Sequence, residues 1–123
     1  MPDASVPIDP TTPIDVNFVA RTPHVVAFRL WRQDVVDGPW ILLGEGHTAD
    51  HVPDLVTASP PFPAGGRLAF WVGIGGNPNT QYQVLVTLAQ DGRILPGGTI
   101  LVPGKTNEKG VAEDHGFITE SAS

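Results

Sequence analysis

The segment from Arg67 to Leu88 constrains the fold more than any other part of the chain. Leu68, Phe70, Val72 and Ile74 recur at every second position, and so do Tyr82, Val84, Val86 and Leu88 after the stretch Gly75-Gly76-Asn77-Pro78-Asn79-Thr80. Side chains alternate faces with period two along a strand, so each run makes a strand with one apolar face. The Gly, Asn and Pro residues between them form turns, and the two runs read as a hairpin. In that pairing Val72 faces Val84, Phe70 faces Val86, and Trp71 stands opposite Leu85 on the other side of the sheet. The fold class is all-β.

Shorter patterns extend this reading in both directions. Ile14, Val16, Phe18 and Ala20 form the apolar side of a first strand. Val25 to Arg32 forms a second, with Val26, Phe28 and Leu30 on one face and Arg29 and Trp31 on the other. Asp37-Gly38-Pro39 turns the chain into Trp40-Ile41-Leu42-Leu43, a run expected to be buried on both faces with Trp40 in the core. The next ordered piece is expected at His47 to Val52 or at Leu55 to Ala58. Asp91-Gly92 is a two-residue turn of the kind that needs positive φ, and it sets Ala89 across from Ile94 and Leu88 across from Leu95. Pro96 cannot donate to a ladder, so its strand is expected at an edge or broken by a bulge at Gly97-Gly98. Val111 to Thr119 is the last strand.

Roughly seven to nine short strands with frequent turns suggest a two-sheet antiparallel β-sandwich, immunoglobulin- or fibronectin-like, with a jelly roll or small barrel as the alternative. The 123 residues suffice for one core, and the 14 Gly and 13 Pro fall between apolar runs, where turns belong. Residues 1–13 hold four prolines and little apolar mass, so they are expected to be an extended, partly disordered arm that adds little stability. Residues 14–120 then form the single domain.

Cysteine is absent, which excludes a disulfide framework, a thiolate metal site and a cysteine nucleophile. No basic-then-apolar leader is visible, and with the lack of cysteine this slightly favours the cytoplasm, although a mature secreted form would look the same. The net charge of −6 comes from 13 acidic and 7 basic residues, and the basic ones form no stripe. Nucleic acid and membrane surfaces are therefore not expected as partners, because affinity for phosphates comes from clustered cations.

No nucleophile elbow, P-loop or dinucleotide fingerprint occurs, so an enzyme is not expected, and neither is a cofactor. The densest polar cluster runs from Glu45 to Asp54. His47, Asp50, His51 and Asp54 are ligand types for a divalent ion, with Glu113-Asp114-His115 able to join them only if the last strand lies nearby. Their spacing matches no metal motif, and turn chemistry accounts for them more simply.

Trp31 and Trp71 are more informative, since each lies on the face opposite to its strand's core side. An outward indole can fill a partner's pocket or stack on a sugar ring. Gln83 and Leu85 flank Trp71 in the expected hairpin, and the neighbouring loop supplies the neutral amides of Asn77, Asn79 and Gln81. The favoured reading is a non-catalytic interaction module acting by self-assembly, as a homo-oligomer, or by protein docking. A small lectin-like protein for neutral glycan is the alternative, and a metal-dependent enzyme is a distant third.

Overall fold

The computed structural model describes residues 3–20, 25–49, 54–60, 62 and 65–120. Nine strands appear among them: β1 (Ala4–Val6), β2 (Ile14–Ala20), β3 (Val25–Gln33), β4 (Ile41–Ala49), β5 (Asp54–Ala58), β6 (Arg67–Gly75), β7 (Gln81–Gln90), β8 (Arg93–Lys105) and β9 (Val111–Glu120). They form a five-stranded sheet in the order β1-β9-β6-β3-β4 and a four-stranded sheet in the order β5-β2-β7-β8. All neighbours are antiparallel except β1 and β9. The fold is a β-sandwich, with the alternating apolar faces of both sheets turned inward.

The central pair departs from the hairpin expected of it. β6 lies in the five-stranded sheet between β3 and β9, whereas β7 lies in the four-stranded sheet between β2 and β8. Val72 therefore pairs with Phe28 and Asp114, while Val84 pairs with Ala20 and Val102. Trp71 and Leu85 stand on opposite outer faces of the sandwich. The reason lies in the connection. Gly76 to Thr80 is too long for a two-residue turn, and it is bonded to the loop after β8. Thr106, buried, donates from Oγ1 to the Asn77 carbonyl at 2.7 Å and accepts from the Thr80 amide at 2.9 Å. The Asn79 amide reaches the Asn107 carbonyl at 3.0 Å. These bonds hold the chain as it crosses from one sheet to the other.

The β7–β8 connection does form a tight hairpin. Asp91 and Gly92 have φ of 52° and 75°, as a type I′ turn requires, and Ala89 pairs with Ile94. Leu88 does not pair with Leu95, because the register shifts between Thr87 and Ala89. The bulge expected around Gly97-Gly98 lies there, and β8 is an edge strand.

Two further expectations are corrected. The N-terminal segment is extended, but it is part of the sheet. β1 runs parallel to β9, Val6 is fully buried, and Ile8 packs against the core. Gln90, also buried, accepts from the Asp9 amide at 3.0 Å and donates to the Asp9 and Thr12 carbonyls at 2.9 Å each. Hydrogen bonds from Thr11 and Thr12 hold the Asp9 carboxyl below the usual carboxylate range and fix the turn into β2. The run Trp40 to Leu43 is not buried on both faces. It enters β4 at the sheet's edge, and Ile41 and Leu42 are each 48% exposed. A register shift between Leu30 and Trp31 brings Leu42 opposite Trp31 on the outer side.

Aromatic packing across the two sheets anchors the core. Phe18 of β2 stacks on Phe28 of β3 with centroids 4.4 Å apart, and it meets Phe70 of β6 edge-on at 6.4 Å. Tyr82 closes one end of the core, its ring and hydroxyl occupying the space where a side chain at Gly104 would stand. Burial pushes the Tyr82 phenol above its ordinary range, and the Asp114 carboxylate adds to this. A raised pKa means that the folded state favours the protonated form. Its contribution is fully present below about pH 10 and is lost as pH rises through the folded value. Tyr82→Phe is accordingly expected to flatten the alkaline decline in urea-unfolding stability while leaving stability at pH 7 within about 1 kcal/mol. An unchanged alkaline slope in the variant contradicts this assignment.

Candidate functional site

The residues with most to offer chemically lie on the outer face of the five-stranded sheet. Outward positions in β3 are Val25, Ala27, Arg29 and Trp31, since Val26, Phe28 and Leu30 point into the core. In β6 they are Arg67, Ala69, Trp71, Gly73 and Gly75, and in β9 Val111, Glu113, His115 and Phe117. The ladders set these in rows. Trp31, Ala69 and Phe117 lie side by side, with Leu42 next to Trp31 at the edge. Glu45, Arg29, Trp71 and His115 form the next row, and His47, Ala27, Gly73 and Glu113 the one after.

Trp71 lies over Gly73, where any side chain would collide with its benzene ring. Its indole nitrogen donates to Glu113 Oε2 at 3.3 Å, and the Arg29 guanidinium sits 5.5 Å from the ring centroid on the other side. Arg29 also pairs with Glu45, Nε to Oε2 at 3.1 Å, with both side chains more than half exposed. Such a pair adds little to stability and orients the cation beside the indole. Beyond Trp71 the small residues Ala27, Gly73 and Gly75 line a shallow apolar hollow, open and about 320 Å³ in volume, together with His47 and Glu113.

A second hollow opens on the other side of the Trp71 row. Trp31, Trp40 and Phe117 wall it, Ala69 is its floor, and Arg67 reaches into it. Trp40 and Phe117 lie 6.0 Å apart, and the Arg67 guanidinium stacks on both, 5.0 Å and 4.6 Å from their centroids. His115 meets Phe117 edge-on at 6.5 Å. All three tryptophans of the chain thus border one surface.

The face brings some of the sequence candidates together and separates others. Trp31 and Trp71 share it. Gln81, Gln83 and Leu85 lie across the sandwich, on the outer face of the four-stranded sheet beside Lys105, Pro103 and Leu101. Asn77 and Asn79 stay in the β6–β7 loop, where their backbone groups hold the crossing. His47 and Asp54 do not converge. His47 faces outward, whereas the Asp54 carboxylate lies against the inward side of Gly46 beside the Phe28 ring. Asp50 and His51 lie outside the described residues. Among the described residues no group of three or more histidines and carboxylates is placed to hold a metal ion. Glu113 and His115 point outward and Asp114 inward, as their alternation in β9 requires.

Sequence reasoning missed three contributors to this face: Trp40, assigned to the core, and Arg67 and Phe117 as members of an aromatic cluster. The parity of Phe117 against the buried Ile118 was the available signal. Comparison with protein-family models, curated proteins and solved structures finds no match to this chain.

Proposed function

We propose that the chain is a non-catalytic interaction module that works by contact through the outer face of its five-stranded sheet, either by self-assembly as a homo-oligomer or by docking to another protein. One observation carries this reading: Trp31, Trp40, Trp71 and Phe117, interleaved with Arg29 and Arg67, are grouped on that face. Antiparallel sheets that keep one face in water normally line it with small polar and charged side chains. Tryptophan and arginine grouped on one surface are the residue types that dominate binding energy at protein contacts. The small-residue hollow beside Trp71 gives a partner's side chain somewhere to go. Sedimentation equilibrium over a wide concentration range tests the self-assembly form, which predicts a mass rising above that of one chain. A single-chain mass throughout removes self-assembly and leaves docking to a different protein.

A small lectin for neutral glycan is the second reading, favoured by the indole of Trp71 lying flat over Gly73 on an outer sheet face. Of the amides expected to complete such a site, Asn77 and Asn79 lie in the β6–β7 loop and Gln81 stands on the other side of the sandwich. Binding on a glycan array that quenches tryptophan emission would favour it over protein contact.

A further inference from the structure

The hollow around Arg67 is formed within one chain, on the same face as the proposed contact surface, and its own chemistry specifies a ligand. The Arg67 Nε donates to Gln33 Oε1 at 2.9 Å. Gln33 is buried, and it donates from Nε2 to the Gly38 carbonyl at 2.8 Å, which fixes its amide in one orientation. The ion pairs among the described residues join Arg29 to Glu45 and Arg32 to Asp34, so no carboxylate of the described residues serves Arg67. With Nε committed to Gln33 and the guanidinium lying 5.0 Å from the Trp40 ring and 4.6 Å from the Phe117 ring, the remaining donors are the two terminal nitrogens. They point the same way, at the spacing of a carboxylate's two oxygens. A stacked guanidinium is already ordered, so little freedom is lost when an acceptor arrives.

The surroundings specify the rest of the ligand. Trp31, Ala69 and Phe117 offer apolar surface directly beside the cation, and the hollow, open and about 410 Å³ in volume, has room for a small ligand. We propose that this hollow binds a small organic carboxylate, its two oxygens on the terminal nitrogens of Arg67 and its aromatic or aliphatic stem against Trp31 and Phe117. An inorganic anion would lack the stem, and a neutral analogue would lack the acceptor charge.

The test is titration of the whole protein with sodium 3-phenylpropionate, followed by tryptophan emission and calorimetry. It runs in parallel with the neutral 3-phenylpropionamide, with inorganic phosphate, and with a blocked Leu-Glu-Leu tripeptide. The acid is expected to bind at least about tenfold more tightly than the amide or phosphate, because a charge-assisted bidentate contact is lost in the first and the apolar contact in the second. Arg67→Gln is expected to abolish the preference for acid over amide, and Arg67→Lys to reduce it several-fold, since lysine keeps the charge without the fork. Equal binding of acid and amide by the wild-type protein overturns the proposal without reference to any variant. So does phosphate binding as well as the acid, or an unchanged preference in a folded Arg67→Gln protein. Tighter binding of the tripeptide than of the free acid overturns the small-ligand assignment and gives the site to a protein's carboxylate. No binding of the acid at tens of millimolar sinks the site altogether.

Discussion

A chain lacking residues 1–13 is expected to melt more than about 10 °C below the full-length protein. Two losses combine. Val6 is fully buried, and removing such a side chain forfeits about 1.5–3 kcal/mol of burial. Gln90 loses its three hydrogen bonds to Asp9 and Thr12, each worth about 0.5–1.5 kcal/mol net. In a domain of this size each kcal/mol moves the midpoint by roughly 2–8 °C. Loss of the β1–β9 ladder acts in the same direction. Calorimetry of the truncated protein checks this, and a midpoint within about 3 °C of the full-length value would mean that β1 is not docked.

The second large effect is expected at Phe18. Its ring stacks on Phe28 and meets Phe70 edge-on, so it joins the two sheets at the centre of the core. Phe18→Ala removes both aromatic contacts and leaves a cavity that two rigid sheets cannot close. Substitutions of this kind cost about 3–5 kcal/mol, against a total stability of about 5–15 kcal/mol for an ordinary domain. Denaturant unfolding should show a much lower midpoint with the slope retained. A loss below about 1 kcal/mol would mean that the Phe18–Phe28 stack does not anchor the sandwich.

What could be read from the sequence was local. The period-two runs located β2 and β3 to within a residue, and the Asp91-Gly92 turn gave its own hairpin and pairing. Pro96 and the following glycines marked the edge and the bulge of β8. Alternation tells which face of a strand is apolar but not which sheet the strand joins. Two consecutive amphipathic strands bury the same residues whether they lie side by side or face to face. β6 and β7 lie face to face, held that way by the buried hydroxyl of Thr106, a residue some 30 positions from the crossing. The N-terminal strand carries the same alternation in Ala4, Val6 and Ile8, but the run is short and Pro7 interrupts it.

The functional face was legible by parity and illegible by position. Trp31 and Trp71 each occupy an odd position opposite the buried residues of their strand, which marks them as outward. That they share a surface depends on β3 pairing with β6, and this long-range choice leaves no local trace. Phe117 joins them only because β9 returns to the other side of β6, and Trp40 because β4 ends the sheet and leaves that corner open.

Replacing Trp71 by glutamate on one face and Leu101 by glutamate on the other separates the two outer surfaces of the sandwich in one experiment. Both side chains point away from the core, and Leu101 is 46% exposed on the four-stranded sheet, so both variants should remain folded by circular dichroism. In sedimentation equilibrium alongside the wild-type protein, self-association is expected to be lost in Trp71→Glu and kept in Leu101→Glu. Association that survives Trp71→Glu and disappears in Leu101→Glu would contradict the account, because contact would then run through the four-stranded sheet.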